Sequence, residues 1–137
     1  MRFEELSVGQ SAEMSHTVTD AMVRQFADVT GDHNPVHLDE AYATSTSFGG
    51  RIAHGMLTAG FVSACMATRL PGPGAIYLTQ TLRFTRPVRL GDTVTVQVRI
   101  VELTEATRRV RLATTCRNQA GKVVLDGEAT VLVPETA

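Results

Sequence analysis

The chain has 137 residues, of which 43% are hydrophobic and 20% are charged, and its formal net charge is −1. This composition is typical of a globular domain that forms a hydrophobic core without disulfide or metal support. The 13 basic and 14 acidic residues leave no basic excess for nucleic acid and no polybasic run for an anionic membrane.

The N-terminal residues, MRFEELSVGQ, lack the apolar core of a secretory signal. The chain also lacks the run of about eighteen apolar residues that spans a bilayer. Cys65 and Cys116 lie far apart, which favours two buried thiols in a reducing compartment over a disulfide. We therefore expect one domain over residues 1–137, in the cytoplasm and without a membrane partner.

Residues 11–18, SAEMSHTV, weakly favour a strand, and the next segment, TDAMVRQFADVTG, has the apolar spacing of a helix. Thr19 is a suitable N-cap for this helix. Gly31 is placed to end it in a left-handed conformation. Asp32 is then the first residue beyond the helix.

The following loop, DHNPVH, places Asp32 and His37 five residues apart with Asn34 and Pro35 between them. Proline fixes one backbone dihedral and asparagine bonds to nearby backbone, so we expect a fixed turn here rather than a helix. Such a turn either caps the neighbouring helices or holds an acid and an imidazole together for proton transfer.

A second short helix is predicted over EAYAT, with Asp39 as its N-cap, and the small residues of STSFGGRIAHG after it indicate a loop. The segment from 54 to 70, HGMLTAGFVSACMATRL, is apolar on all sides and predicts a buried helix. The sequence PGPG ends this central helix.

From residue 76 onward apolar residues recur at every second position, which predicts four strands. The runs are IYLTQTLRF, TVTVQVRI, RRVRLATTC and KVVLDGEATVLV. In the first run the apolar face consists of Ile76, Leu78, Leu82 and Phe84. Short turns between successive strands indicate an antiparallel meander. The fold predicted is α+β, with an antiparallel sheet wrapped around the long central apolar helix.

Besides this order of elements, the chain contains a sequence motif around Asp32 and His37. The motif residues are Phe26, Val29, Thr30, Gly31, Asp32, Asn34, Pro35, Val36, His37 and Ala43, with His33 at a free position. In both respects the chain resembles the hotdog fold and, within it, the MaoC-like (R)-specific enoyl-CoA hydratases. A second match is AHGML, where that family places a glycine at the start of the central helix. The resemblance covers nearly the whole chain.

The resemblance implies hydration of trans-2-enoyl-CoA to (3R)-hydroxyacyl-CoA, with Asp32 and His37 as the catalytic pair. It also implies a homodimer. The partner molecule is an acyl-CoA thioester, so coenzyme A enters as part of the substrate, and the chemistry requires no metal or organic cofactor.

Adding water to an enoyl thioester places negative charge on the thioester oxygen. N–H groups at a helix start are unpaired and lie at the positive end of the helix dipole, so we assign the Gly55 N–H as the oxyanion donor. We favour Asp32 as the main base, with His37 orienting the attacking water and sharing the proton transfer. The division between these two groups is left open.

Three further residues are candidates for binding substrate: Ser63, Met56 and Asn34. For Ser63, packing against the sheet is at least as good an explanation, and an apolar residue such as Met56 is more often simply part of the core. Arg51, Arg83 and Arg86 either contact the phosphates of coenzyme A or are surface residues.

His54 is expected to pack against the central helix or to cap it. The four histidines are not expected to form a zinc site.

Three other functions compete with the hydratase. A hotdog acyl-CoA thioesterase directs water at the carbonyl carbon and does not need the paired acid and imidazole. A 3-hydroxyacyl-carrier-protein dehydratase runs the same reaction in reverse on a different thioester. A non-catalytic acyl-CoA binding protein needs no acid/base pair at all.

Overall fold

The computed structural model describes residues 1–135. Its helices are α1 (Asp20–Thr30), α2 (Pro35–Leu38), α3 (Glu40–Thr44) and α4 (Gly55–Thr68). Its strands are β1 (Ser11–Thr17), β2 (Ile76–Gln80), β3 (Arg83–Phe84), β4 (Thr93–Thr104), β5 (Arg109–Arg117) and β6 (Val123–Leu132). Helices α1, α3 and α4 confirm the three helices that the sequence predicted. The short helix α2 was not predicted.

All six strands form one antiparallel sheet with the order β1-β4-β5-β6-β2, and β3 also pairs with β6. Strands β4, β5 and β6 form the predicted meander. The prediction that the first run continues this meander beside β4 was wrong. Both edges of β4 are occupied, by β1 and β5, so β2 takes the free edge of β6.

The run predicted as one strand is divided into β2 and β3 at residues 81 and 82. The division faces Gly127 of β6, where a Cβ would lie 1.9 Å from the carbonyl oxygen of Thr81. Only glycine allows that carbonyl to approach so closely. The main chain therefore leaves regular pairing here and turns Phe84 toward the start of α4, where its ring meets Gly55.

Helix α4 lies against β4, β1 and β5 and fills the centre of the core. The residues that it buries are Thr58, Ala59, Phe61, Val62, Cys65 and Met66. Alternate residues of β4 face it and are fully buried: Val94, Val96, Val98 and Ile100. Each aliphatic side chain buried in this way contributes on the order of 1.5 to 3 kcal/mol. The architecture is the predicted hotdog arrangement.

The prediction that α4 is buried all round holds for one side only, since Met56 and Gly60 are exposed. Within residues 1–135 no helix combines the length and apolar character needed to cross a membrane.

The apolar residues of β2 do not face the core as predicted. Ile76, Tyr77 and Leu78 are 47%, 41% and 40% exposed. Strand β2 ends the sheet, and its outer edge has no pairing strand among residues 1–135. An unpaired edge flanked by apolar side chains is a surface suited to association.

The two cysteines are buried free thiols, as predicted. Burial, followed by the proximity of Cys65, raises the pKa of Cys116 to about 12. Both groups therefore act as small apolar core residues.

Candidate active site

The loop after α1 is held in place by its own backbone and short polar side chains. Gly31 ends α1 with φ of 82°, a left-handed conformation that favours glycine, and its N–H donates to Ala27 O at 2.8 Å. The Asp32 N–H donates to Thr30 Oγ1 at 3.2 Å. The Asn34 N–H donates to Asp32 Oδ1 at 3.2 Å, which leaves Asp32 Oδ2 free to face a ligand.

Residues 35–38 form a short helix where the sequence predicted a turn. Asn34 is its N-cap and accepts from the Val36 N–H at 3.2 Å, and Pro35 occupies the first helical position. Proline suits that position because its missing N–H has no intrahelical partner to lose. Asn34 and Pro35, from which a turn was predicted, therefore form the start of α2, the helix that carries His37. Asn34 itself does not line the cavity described below.

His37 is buried, and its ring orientation is fixed by the main chain. Its Nδ1 lies 2.8 Å from Ile52 O. A carbonyl oxygen only accepts, so Nδ1 carries the proton and Nε2 presents a lone pair. Burial lowers the pKa of His37, the Ile52 carbonyl opposes that shift, and His54 adds to the lowering. The ring is therefore neutral at pH 7 and acts as a hydrogen-bond acceptor at Nε2.

Arg51 connects α1 to the residue that carries this imidazole. Its Nε donates to His37 O at 2.7 Å and its guanidinium reaches Asp20 Oδ1 at 2.6 Å. The Arg51 side chain is only 13% exposed. The interpretation of Arg51 as a surface residue is therefore wrong, and its contact with the phosphates of coenzyme A stays a prediction.

Gly55 is the first residue of α4, and its N–H has no acceptor among residues 1–135. The ring of Phe84 covers this position: a Cβ on residue 55 would lie 2.7 Å from Phe84 Cε1. Because Gly55 has no side chain, the ring of Phe84 can lie directly beside the unpaired Gly55 N–H.

These groups share a cavity of about 470 Å³. Its lining residues are Asp32, His37, Phe48, Ile52, Ala53, His54, Gly55, Met56, Thr58, Phe84, Thr85, Arg86, Pro87, Val88 and Val124. Most of the lining is apolar, with a few polar groups converging on it, as in binding sites for small molecules. Of the arginines considered from the sequence, Arg86 lines this cavity, whereas Arg83 pairs with Asp126.

Ser63 does not reach that cavity. It lines a second one, of about 360 Å³, with residues of β2 and with Met56, which borders both. Ser63 lies eight positions after Gly55, about 12 Å further along the helix. A role of Ser63 in binding substrate stays a prediction, but the described chain does not place it beside Asp32 and His37.

His54 and Thr58 line the cavity of Asp32 and His37, although neither was selected from the sequence. His54 packs against the rings of His37 and Phe26, which lie outside the central helix, and among residues 1–135 its side chain makes no capping hydrogen bond to α4. The only indication in the sequence was its position directly before Gly55.

One ligand atom from each of Asp32, His37 and His54 lies within 4.8 Å of the other two. Local spacing predicted Asp32 and His37 together but gave no reason to expect His54, which lies 22 residues from Asp32 in the sequence. Two of the ring nitrogens are already engaged, His37 Nδ1 by Ile52 O and His54 Nε2 by Asp32 O. His37 Nε2 and the carboxylate are the atoms that remain for a water molecule, and a cation would also need His54 Nδ1, which is buried.

The neutral state of His37 predicts the acid limb of the pH profile. Burial lowers the folded-state pKa below 6.5, so the ring gains a proton only as the pH falls through that lowered value. Protonation at Nε2 removes an acceptor, so kcat/KM of a reaction that uses this acceptor falls there. A pH-rate profile should place the midpoint below pH 6.5, and a midpoint at or above 6.5 would contradict a buried, neutral imidazole.

Residues 4–121 match the model of the family described as the MaoC like domain. The (R)-specific enoyl-CoA hydratase of Rhodospirillum rubrum is 52% identical over 96% of this chain and 91% of its own length. The 3-hydroxybutyryl-CoA dehydratase of Methylorubrum extorquens is 53% identical over 97% and 84%. The solved structure of the R-hydratase PhaJ1 from Pseudomonas aeruginosa superimposes with a TM-score of 0.94 at 54% identity, covering 98% of this chain and 86% of that one.

Proposed function

The chain belongs to the MaoC-like domain family, and on that basis we propose that it is an (R)-specific enoyl-CoA hydratase. It adds water reversibly across the double bond of a trans-2-enoyl-CoA and yields the (3R)-hydroxyacyl-CoA. The single observation that carries this proposal is the convergence of Asp32, His37 and Gly55 on one apolar cavity.

Asp32 and His37 hold the attacking water between two acceptors. A water molecule has two hydrogens, and a carboxylate oxygen and His37 Nε2 each accept one of them. Both donors are then committed, so a lone pair of the oxygen is left to face the substrate. Proximity and correct orientation of the water and the substrate are a large source of rate enhancement.

The reaction proceeds with a balanced transfer of one proton. The water oxygen bonds to Cβ while Asp32, the proposed main base, takes its proton, and the π electrons move toward the thioester oxygen. His37 keeps the water in line and shares the proton. The protonated group then returns a proton to Cα on the same face, which completes a syn addition and regenerates the site.

Gly55 stabilises the charge that develops on the thioester oxygen. Its N–H is unpaired among residues 1–135 and lies at the positive end of the α4 dipole. A preorganised donor at this point is worth on the order of a hundredfold in rate. Because the apolar walls exclude water, the donor acts at greater strength than in solution.

A spectrophotometric assay separates the hydratase from its rivals. Purified protein is mixed with crotonyl-CoA while the absorbance of the conjugated thioester and the release of free thiol are both recorded. A hydratase removes the absorbance without releasing thiol, and the product is the (3R) stereoisomer. Release of thiol would identify a thioesterase. No change with crotonyl-CoA, but turnover of the carrier-protein thioester, would identify a dehydratase of that class.

We propose that this chemistry needs no metal ion, because a carboxylate, an imidazole and a backbone N–H supply the base and the charge stabilisation. Dialysis against a strong chelator should leave kcat within about twofold of its starting value. The cluster of Asp32, His37 and His54 makes this a meaningful test. Loss of activity on dialysis, restored by zinc, would contradict the proposal.

We propose that the chain forms a homodimer through β2. The outer edge of that strand is unpaired among residues 1–135, and three apolar side chains beside it, Ile76, Tyr77 and Leu78, are exposed. Placing a charge there, as in Leu78→Glu, should shift the protein to monomers, because a charge is costly to bury at an interface. Sedimentation analysis measures this, with Val8→Glu, also exposed but outside the sheet, as the matched control. An unchanged dimer in Leu78→Glu would contradict this interface.

A further inference from the structure

His54 is in contact with each part of the proposed site. Its Nε2 lies 3.0 Å from the main-chain oxygen of Asp32. Its ring stacks on His37, with centroids 3.9 Å apart and an interplanar angle of 29°. It is the N-cap residue of α4, so it also directly precedes Gly55. His54 therefore links the loop of the carboxylate and the imidazole through its side chain, and the oxyanion donor through its main chain.

The hydrogen bond to Asp32 determines the tautomer of His54. The carbonyl oxygen can only accept, so Nε2 carries the proton and donates it. Nδ1 is then an acceptor, and it is buried without a hydrogen-bond partner among residues 1–135. The His54 ring as a whole is only 2% exposed. An unpaired buried nitrogen is costly and adds nothing to the core, whereas a phenylalanine in its place would pack without that cost.

We infer that His54 is a positioning residue, which holds the main chain of Asp32 and the ring of His37 in the relative geometry that activates water. The inference rests on the proposed hydratase function. The Nε2–H bond fixes the Asp32 loop, and the stacked ring leaves His37 only rotation in its own plane, which the bond to Ile52 O removes. His54 acts through Asp32 and His37 rather than on the reacting atoms, because its Nε2 is engaged by the Asp32 main chain and its Nδ1 is buried.

The charged and titratable groups around the His37 ring are few. Asp32 lies on the loop before α2, and His54 lies at the start of α4. Arg51 binds the main-chain oxygen of His37 and is neutralised by Asp20 of α1. Replacing His54 by an uncharged ring therefore alters one neighbour of His37 and leaves its burial intact.

The test compares His54→Phe with His54→Gln. Phenylalanine keeps a ring against His37 but cannot donate to the Asp32 carbonyl. Glutamine gives up the stack but places an amide N–H close to the position of Nε2. We expect His54→Phe to lower kcat for crotonyl-CoA about tenfold or more, with KM changed less than about twofold. His54→Gln should recover part of that loss.

A second readout does not depend on turnover. His54 contributes to the lowered pKa of His37, so in His54→Phe the NMR titration of His37 should move to higher pH. A residue that merely fills space would leave both this titration and the acid limb of the rate profile unchanged. The titration also separates the two proposals: if the wild type does not hydrate crotonyl-CoA but His37 titrates differently in His54→Phe, the function is wrong while the coupling of His54 to His37 stands.

His16 supplies a matched control outside the cavity. Its ring stacks on Phe61 at 4.2 Å and it too has a buried ring nitrogen, Nε2, without a partner among residues 1–135. His16→Phe should leave kcat, KM and the His37 titration at wild-type values. A wild-type kcat and an unmoved His37 titration in His54→Phe would overturn the inference. If His54→Phe does not fold, His54→Asn replaces it, since the shorter amide nitrogen falls near Nδ1 and cannot reach the Asp32 carbonyl.

Discussion

Asp32→Asn is expected to lower kcat for hydration of crotonyl-CoA by roughly three orders of magnitude, within the range that a general acid/base group contributes. An amide oxygen still accepts from the Asn34 N–H, which lies 3.2 Å from Asp32 Oδ1, so the loop should keep its shape. The amide cannot take a proton from water at neutral pH. The loss should therefore appear in kcat, with KM and the melting temperature close to those of the wild type.

Asp28 provides a control for this change. It is an exposed carboxylate of α1 that pairs with His33 at 3.3 Å and does not line the cavity. Asp28→Asn removes the same charge from the same region and should leave kcat unchanged. If both variants kept wild-type turnover, Asp32 would have no part in the chemistry.

His37→Ala is expected to lower kcat about a hundred- to a thousandfold. The change removes the Nε2 acceptor that holds the second hydrogen of the water. It also leaves the Ile52 carbonyl without its 2.8 Å partner, which should lower the free energy of unfolding by about 1 to 3 kcal/mol. The measurements are steady-state kinetics and thermal unfolding on the same preparation.

The double variant tests whether the two groups act on one water molecule. Residues that act as a unit have non-additive effects, so Asp32→Asn with His37→Ala should be little slower than the worse single variant. His33→Ala is the control, because that side chain is exposed and occupies the free position between them. Losses that multiply would show that Asp32 and His37 act independently, and wild-type turnover in His37→Ala would remove that residue from the mechanism.

The sequence predicted those parts of the fold that depend on neighbouring residues. Thr19 caps α1 and Gly31 ends it in the left-handed conformation, as their residue types indicated. Asp39 likewise caps α3. These contacts span at most four residues, so local chemistry is enough to identify them.

Helix α2 was missed because Asn34 and Pro35 suit two structures. The pair is as favourable at the first positions of a helix as in a turn. What selects the helix is the burial of His37 and its bond to Ile52 O, fifteen residues away. Such long-range contacts cannot be deduced from local spacing.

The position of β2 and the role of its apolar face were missed for a related reason. Alternation shows that one face of a strand is apolar, but it does not tell whether the chain's own core or another surface covers that face. Here β1 already pairs with β4, and the displaced strand exposes Ile76, Tyr77 and Leu78 at the sheet edge.

The sequence motif predicted Asp32 and His37 as site residues, and the predicted start of α4 indicated Gly55. The sequence did not show that Ser63 lines a different cavity. His54 was also undervalued, because its bond to Asp32 crosses 22 residues of sequence. Residues that position others through long-range contacts are the part of a site that residue types alone reveal least.

The structure of the Asp32→Asn variant with crotonyl-CoA bound tests the central claim most directly. The account predicts the thioester oxygen about 3 Å from the Gly55 nitrogen, and Cβ facing one water molecule held between residue 32 and His37 Nε2. A thioester bound with its Cβ turned away from those two side chains, or outside the cavity that they line, would contradict it.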